Sequence, residues 1–304
     1  MRNCAPIALF VYNRPIHLSR TLHALSLNLL ASESDLFVFS DGPRDSVDFQ
    51  NVKLVRDLLS NVHGFRSVTV KIREKNYGLA KSIVEGVSEV CSIFGRIIVL
   101  EDDLVSSPFF LTYMNDGLDR YENNQRVASI HGYALPLKVK EPETYFIRGA
   151  DCYGWATWKR AWSFFEPDGQ FLLRELERTR LSDTLDLNGA QAYTQMLKNQ
   201  IAGLNDSWAV RWHISIFLHN MLTLTPIRSL IVHIGNDGSG SNFGKETFLD
   251  TVLSHKRVIV DDIKVEEHLG MLQETRSYYL AYKSLYARLL RRIYRLFYFF
   301  LRSS

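Results

Sequence analysis

The chain has 304 residues, of which 46% are hydrophobic and 23% charged, and its formal net charge is +3. A chain of this length can bury a sizeable core in one large domain, and the composition is that of a soluble globular protein. The weak net charge excludes a generally basic nucleic-acid-binding protein, so no nucleic acid is expected as a partner. The three cysteines have no metal-ligand spacing, and their odd number is typical of a reducing compartment.

The first hundred residues alternate between short apolar runs and segments in which apolar residues recur at helical spacing. The apolar runs cover residues 7–12, 36–39, 68–72 and 97–100. Short buried strands separated by amphipathic helices predict βαβ units, and therefore an α/β protein with a mainly parallel sheet flanked by helices. In such open sheets the ligand binds outside the carboxyl ends of the strands.

Polar side chains follow three of the predicted strands. Arg14 follows the first strand, Asp41 the second, and Glu101-Asp102-Asp103 the fourth. Because the carboxyl ends of parallel strands share one edge, we expect these side chains to converge on one crevice. Carboxylates there would hold Mn²⁺ or Mg²⁺, which neutralises the diphosphate of a nucleotide sugar as the sugar leaves. A second apolar run with two aspartates, residues 258–262, does not follow three βα units and is interpreted as a decoy.

The second half of the chain offers three further candidates. Trp155 lies in a short window with three tryptophans, so it is interpreted either as a platform that stacks on a sugar or as part of a core. His233 is either an additional metal ligand or a structural histidine at a strand end. The Gly/Ser-rich segment 235–242 is either a mobile loop whose Ser239 hydroxyl binds the diphosphate or an ordinary surface loop.

At the acidic triplet the sequence resembles a known family. Residues 96–110, RIIVLEDDLVSSPFF, are similar to the metal-binding segment of the N-acetylglucosaminyltransferase I family. Members of that family are GT-A enzymes, which transfer a sugar from a UDP donor with inversion. The resemblance covers about residues 5–245; the acidic segment is the most specific part, and the second half matches only in short pieces. It implies a Rossmann-like GT-A fold, and we expect a C-terminal helical extension after it. The other matching segments are Asn13-Arg14-Pro15, Ser40-Asp41-Gly42, Asn76 to Ala80, Tyr153-Gly154-Trp155 and Asp206-Ser207-Trp208.

The resemblance also implies a role for each matching residue. Asp103 would be the metal ligand, and Asp206 the general base that takes the proton from the acceptor hydroxyl. The residue before the family's base is usually aromatic, and here it is Asn205, so a helix N-cap is the alternative for Asp206. The remaining implied contacts are Glu101 and Asp102 with the ribose and donor sugar, Asp41 with the uracil, and Arg14 with the nucleotide.

The implied function is an inverting, metal-dependent glycosyltransferase. It would move a sugar, with GlcNAc as one candidate, from a UDP-sugar to a hydroxyl of a glycan or lipid-linked acceptor. Residues 1–125 would bind the nucleotide sugar and residues 126–275 the acceptor. The alternatives are a nucleotide-sugar-binding or carbohydrate-binding protein without transferase activity, and a nucleotidyltransferase. A nucleotidyltransferase should carry a glycine-rich loop after the first strand, where Tyr12 to Pro15 stand, and the G-x-G-x-x-G of a dinucleotide-binding oxidoreductase is absent there.

The last part of the chain, residues 276–304, has a different composition. From Tyr278 to Arg302 there is no acidic residue, and basic residues alternate with aromatic residues and leucines. A basic, aromatic, amphipathic helix is typical of a segment that lies on a membrane surface, and Leu296 to Leu301 is too short to cross one. With no targeting segment recognisable at the N-terminus, we expect a cytoplasmic protein that is peripheral on the inner face of the plasma membrane.

Overall fold

The computed structural model describes residues 3–139, 141–235 and 251–284. The strands in these ranges are β1 (Ile7–Val11), β2 (Asp35–Ser40), β3 (Ser67–Ile72), β4 (Arg96–Glu101), β5 (Leu104–Ser106), β6 (Val127–His131), β7 (Thr144–Arg148), β8 (Trp155–Trp158), β9 (Leu222–Pro226) and β10 (Ile231–His233). The helices are α1 (Pro15–Ser26), α2 (Ser46–Leu59), α3 (Leu79–Phe94), α4 (Phe110–Arg120), α5 (Lys159–Trp162), α6 (Gly169–Thr179), α7 (Ser182–Leu185), α8 (Tyr193–Ile201) and α9 (Trp208–Leu218). A C-terminal helix covers residues 269–284.

Eight of these strands form one sheet in the order β3-β2-β1-β4-β8-β6-β9-β7. The first four are parallel to one another. β8 is antiparallel to both β4 and β6, and β9 is parallel to β6, so six strands run one way while β8 and β7 oppose them. The predicted α/β class, with a mainly parallel sheet flanked by helices, is confirmed. Strands from both predicted halves of the chain belong to this sheet.

The helix α3 illustrates how the sequence determines an element. It begins after Gly78 and ends at Gly95, whose φ of 76° is a left-handed C-cap that favours glycine. Ile83, Val87 and Cys91 of the apolar stripe are at most 1% exposed, as the helical spacing predicted, whereas Leu79 at the start of the helix is 37% exposed. At Gly86 the helix meets the sheet so closely that a Cβ would stand 2.7 Å from the ring of Phe10. The small residue therefore sets the distance between α3 and β1.

A two-stranded antiparallel ribbon of β5 and β10 lies beside the main sheet. Ile231 pairs with Ser106 and His233 with Leu104. Ser107 N–H also donates to the carbonyl of Leu230 at 2.8 Å. The ribbon joins the segment that follows the acidic triplet to a segment more than 120 residues further along the chain. The ribbon therefore brings His233 close to the carboxyl end of β4.

Some elements of the structure were not visible in the sequence pattern. The strands β5, β7, β8 and β9 were not predicted, because each is short and its apolar pattern resembles a loop or a core helix. Leu29 continues the helical spacing of Leu18, Leu22 and Leu25, but it is 62% exposed and lies beyond the end of α1. The decoy run 258–262 forms no strand, and Asp262 pairs with Arg120 at the surface.

No helix within the described ranges is long and apolar enough to cross a membrane.

Candidate functional site

The acidic triplet lies where β4 ends, as predicted. Glu101 pairs in register with Phe10 of β1, so the triplet faces the end of the neighbouring parallel strand. Asp102 Oδ2 accepts the backbone N–H of Tyr12 at 3.1 Å. The carbonyl of Asp102 accepts from Thr21 Oγ at 2.8 Å. The first turn after β1 and the start of α1 therefore hold the triplet in place.

Asp103 is bound by two residues from distant parts of the chain. Its Oδ2 is 2.6 Å from Arg14 Nη1 and 3.1 Å from His233 Nε2. The ribbon delivers His233 to this point, and the N–H of Ile234 donates to the Asp103 carbonyl at 2.9 Å. A Cβ on Gly235 would lie 2.2 Å from Asp103 Oδ2, so the chain passes directly over this carboxylate. The structure thus brings together three predicted site residues, Arg14, Asp103 and His233.

The electrostatics of the triplet reflect an excess of negative charge. Burial raises the pKa of Glu101 to about 8, and the charges of Asp103 and Asp102 add to the shift. Burial likewise raises the pKa of Asp102 to about 7, with the charge of Asp103 as the next cause. Burial would raise the pKa of Asp103 as well, but the hydrogen bond and charge of His233 and the charge of Arg14 hold it below its usual value. Arg14 alone therefore does not neutralise three neighbouring carboxylates.

The donor groups of this site fit a divalent cation. Carboxylate oxygens suit Mg²⁺ and Mn²⁺, and a cation would remove the excess negative charge that raises the pKa of Glu101 and Asp102. Within the described residues no group of three or more His, Cys, Asp and Glu is arranged to hold a metal ion. That is compatible with Mg²⁺-type binding, in which one or two carboxylates supply the protein ligands and substrate phosphates and water supply the rest. Asp103 and His233 are the residues that would hold such an ion.

Asp41, the predicted uracil contact, forms hydrogen bonds with the loop that precedes α3. It is 6% exposed. Its carboxylate accepts the backbone N–H groups of Gly42 at 3.0 Å, Tyr77 at 2.8 Å and Gly78 at 3.0 Å. The N–H of Asp41 in turn donates to the carbonyl of Val11 at 3.1 Å. The carboxylate thus ties the turn before α3 to the ends of β1 and β2, and its contact with uracil stays a prediction.

Asp206 lies on the approach to α9 and is not its cap. The N-cap is Ser207, whose hydroxyl accepts from Val210 N–H at 3.2 Å, so the alternative interpretation of Asp206 is wrong. The Asp206 side chain is 71% exposed, and its Oδ1 is 3.6 Å from Nη2 of the largely buried Arg211. A Cβ on Gly78 would lie 4.0 Å from Asp206 Oδ2. Asp206 therefore stands beside the loop that Asp41 clamps, and its role as a base stays a prediction.

The expectation that Trp155 stacks on a sugar is not supported by its position. Its side chain is 0% exposed. Its ring centroid is 5.8 Å from that of Trp162, 5.5 Å from Trp208 and 5.9 Å from Trp212. A fully enclosed ring offers no face to a ligand, so Trp155 belongs to an aromatic core, which was the alternative. Ser239, the predicted diphosphate donor, lies outside the described residues.

Sequence reasoning missed the polar network after β1. The hydroxyl of Tyr12 donates to Asp48, which also accepts from Asn13 Nδ2 at 2.6 Å. Arg44 Nε lies 3.3 Å from the same carboxylate. Asp48 stands in the first turn of α2, where an acidic residue has an ordinary explanation as a partner of the helix dipole. The position of Tyr12 directly before Asn13-Arg14 was the one available signal.

Comparison with known proteins gives structural similarity without a family. No protein-family profile and no curated protein sequence matches the chain. The chain is similar to S. aureus TarS, with 10% identity and a TM-score of 0.39, over 76% of this chain and 37% of TarS. It is similar to a UDP-glucose pyrophosphorylase complexed with UDP-glucose, with 10% identity and a TM-score of 0.37, over 73% of this chain and 90% of that one.

A third similar structure is a mannosyltransferase from Pyrobaculum calidifontis in complex with GDP-Man and Mn²⁺. The identity is 10% and the TM-score 0.31, over 58% of this chain and 49% of that one. The chain thus spans less than half the length of TarS and of the mannosyltransferase. At these TM-scores only the geometry of the site itself bears on function.

Proposed function

We propose that the protein is an inverting, metal-dependent glycosyltransferase of the GT-A type. It transfers a sugar from a UDP-sugar to a hydroxyl of a glycan or lipid-linked acceptor. The observation that carries the proposal is the convergence of Arg14, Asp103 and His233 at the end of β4, beside Glu101 and Asp102. The excess negative charge at this strand end would attract a divalent cation, and the arginine fixed beside it would bind a diphosphate.

The chemistry of sugar transfer makes clear what each group has to do. Asp103 and His233 would hold Mn²⁺ or Mg²⁺, which would supply positive charge against the negative charge that grows on the diphosphate as the sugar leaves. Arg14 is held by Asp103 at 2.6 Å and can present its other guanidinium nitrogens to a phosphate oxygen. Asp102 is fixed by the N–H of Tyr12 and would accept from a hydroxyl of the ribose or donor sugar. The turn after β1 positions Arg14 and Asp102 before the substrate binds.

The acceptor hydroxyl loses its proton as it attacks the anomeric carbon from the side opposite the diphosphate. Asp206 is the candidate base, because it is an exposed carboxylate beside the loop that carries Gly78. Arg211 is largely buried and 3.6 Å away, so its charge would attract the Asp206 carboxylate and help to orient it. The transition state of such a displacement has oxocarbenium character, as in glycoside hydrolysis.

The test is a screen of UDP-sugars for transfer to water with Mn²⁺, with Mg²⁺ and with EDTA. We expect at least one UDP-sugar to be hydrolysed with either metal, and no turnover in EDTA. Proton NMR of the first-formed sugar should show the anomer opposite to that of the donor. A retained anomer, or UDP binding without turnover of any donor, would overturn the inverting transferase.

Two alanine variants give a matched comparison for the metal. Asp103→Ala removes the carboxylate that Arg14 and His233 share, and should reduce metal-dependent UDP affinity in calorimetry by about tenfold or more, as expected for a charge-assisted contact. Asp261→Ala removes an exposed aspartate of the decoy run and should leave UDP affinity unchanged. Equal UDP affinity of the wild-type protein with and without EDTA would contradict the metal-dependent scheme.

A further inference from the structure

A carboxylate that the proposed chemistry does not use lies between β7 and β8. The Asp151 side chain is 41% exposed, and its Oδ2 is 3.7 Å from Nε2 of His131. Its Oδ1 accepts the N–H of Cys152 at 2.7 Å. Within the described residues no lysine or arginine pairs with it. Asp151 is therefore a half-exposed carboxylate without a cationic partner in those ranges.

The histidine that faces Asp151 has an unusual environment. His131 is 2% exposed, and its buried Nε2 has no hydrogen-bond partner among the described residues. Burial lowers its pKa, although the charge of Asp151 acts in the opposite direction, so the ring is neutral at pH 7. A buried polar atom without a partner is costly, and such atoms often mark the position of a ligand or water. Here that atom points toward the carboxylate.

Tyrosine side chains lie near the loop that carries Asp151. Tyr153 follows it in the same loop, Tyr193 begins α8, and Tyr279 lies on the C-terminal helix, and all three are half-buried. The ring of Tyr193 stacks on that of His213 with centroids 4.5 Å apart, and His213 Nδ1 is 2.6 Å from the carbonyl of Ala150, next to Asp151. Burial raises the pKa of Tyr193 and Tyr279, and the charge of Asp151 acts in the same direction. The start of α8 and the loop after β7 thus meet beside Asp151. We call Asp151, His131, Tyr153, Tyr193 and Tyr279 the Asp151 cluster.

The loop that carries Asp151 is held rigidly at both ends. Gly149 and Gly154 have φ values of 95° and 63°, in the left-handed region. A Cβ at Gly149 would lie 2.5 Å from the ring of His213, and one at Gly154 would lie 2.6 Å from Ile231. His213 Nδ1 is 2.6 Å from the carbonyl of Ala150. The loop therefore presents Asp151 in a fixed position, as a binding site requires.

The Asp151 cluster adjoins the acidic triplet. The ring of Tyr153 is 5.1 Å from that of His233, whose Nε2 is 3.1 Å from Asp103 Oδ2. Burial raises the pKa of Cys152, and the charges of Asp151, Glu101 and Asp103 all contribute to the shift. Cys152 and Tyr153 therefore lie between the two groups of carboxylates. A ligand on the Asp151 cluster would be next to a donor sugar held at the triplet.

We propose that the Asp151 cluster binds the acceptor, and that the acceptor is a neutral hexopyranoside whose hydroxyl groups donate to the Asp151 carboxylate. Tyrosines recur in sugar-binding sites because an aromatic ring packs against the C–H groups of a sugar and a phenol hydroxyl bonds its oxygens. A carboxylate without a cationic partner favours hydroxyl donors and repels an anionic sugar. The term acceptor rests on the proposed transferase function, whereas the binding site does not.

The experiment is saturation-transfer NMR on the full chain with methyl glycosides of glucose, galactose, mannose and GlcNAc as probes. We expect at least one of them to bind the wild-type protein. Asp151→Asn keeps an acceptor for the Cys152 N–H but loses the charge, so binding should fall by about tenfold or more, the usual worth of a hydrogen bond to a charged group. UDP affinity and hydrolysis of the UDP-sugar should stay within about twofold of wild type, because Asp151 makes no contact with the triplet.

The matched control is Asp186→Asn. Asp186 is also a half-buried carboxylate whose charge acts on Tyr193, but its Oδ1 accepts the N–H of Thr194 at 2.9 Å. This variant should bind methyl glycosides like wild type. Equal glycoside binding by Asp151→Asn and wild type, or binding of none of the four glycosides, would overturn the inference. If no UDP-sugar is turned over, the proposed transferase function is wrong, but the proposed glycoside-binding site is not affected.

Discussion

At the scale of single residues, Asp206 is the side chain on which the inverting scheme depends. Asp206→Asn keeps the size of the side chain and removes its capacity to take a proton. We expect kcat to fall by about 10²–10⁴-fold, the usual contribution of a general base, while UDP affinity stays unchanged. Single-turnover kinetics together with UDP calorimetry measure the two quantities separately.

The control for that substitution is Asp183→Asn, which changes an exposed aspartate on α7. It should have wild-type kcat. If Asp206→Asn also turns over at the wild-type rate, Asp206 only pairs with Arg211 and another group is the base. A role for Asp206 as the N-cap of α9 is already excluded, because the N-cap of that helix is Ser207.

Residue types alone predicted part of this site and missed the rest for physical reasons. Carboxylates at a strand end carry a recognisable signal, and the triplet lies where the pattern placed it. Trp155 carried a misleading signal, because the same ring that can stack on a sugar can fill a core. Asp151 carried no signal, because its environment is built by side chains from β6, α8 and the C-terminal helix. Burial and charge at such a point depend on tertiary contacts that have no local pattern.

At the scale of elements, the ribbon of β5 and β10 is the part that assembles the site. Gly154 packs against Ile231 of β10, where a Cβ would lie 2.6 Å from Ile231 Cγ1. Gly154→Ala should therefore push β10 outward, lower stability by about 1–3 kcal/mol through overpacking, and weaken UDP binding by displacing His233. Thermal unfolding and UDP calorimetry give the two readouts.

Gly189→Ala is a suitable comparison for that prediction. Gly189 has a similar positive φ of 83°, but no atom lies within 4 Å of a Cβ placed there. It introduces the same backbone strain without the clash, so the difference between the variants isolates packing against β10. Equal losses in stability, with UDP affinity unaffected in both, would show that the ribbon does not depend on this contact.

Helices and strands with a clear apolar pattern could be predicted from the sequence, and very short strands gave little or no signal. The four parallel strands are short apolar runs, and the segments between them have apolar residues at helical spacing. The helix α3 is also bounded by Gly78 and Gly95. β5 has three residues, which is too short for a period to appear. β10 is equally short, and only its apolar residues before His233 indicated a strand. The pairing of these two strands brings His233 to Asp103, and that pairing has no signal in the sequence.

At the scale of the whole molecule, the C-terminal helix connects the sheet to the basic end of the chain. Met271 packs with Tyr145 and Ile227, and Arg276 Nε donates to the carbonyl of Leu187 at 3.0 Å. Lys283 Nζ is 2.9 Å from the carbonyl of Gly189. Lys283, in the first part of the predicted membrane segment, therefore contacts the protein itself. The rest of that segment lies outside the described residues, so the membrane contact stays a prediction for 285–302.

That prediction rests on sequence and on charge. Residues 285–304 contain five arginines and no acidic residue, interleaved with leucine, tyrosine and phenylalanine. Each basic residue near an anionic leaflet contributes about 1 kcal/mol, and the attraction weakens as salt screens it. Full-length protein should therefore sediment with phosphatidylserine-containing vesicles at low salt, and less at high salt. A chain ending at Ser284 keeps the helix contacts with Leu187 and Gly189, so it should remain folded, hydrolyse UDP-sugar and stay in the supernatant. Vesicle binding by that shorter chain, or none by the full-length protein, would show that the arginines do not attach the enzyme to a membrane.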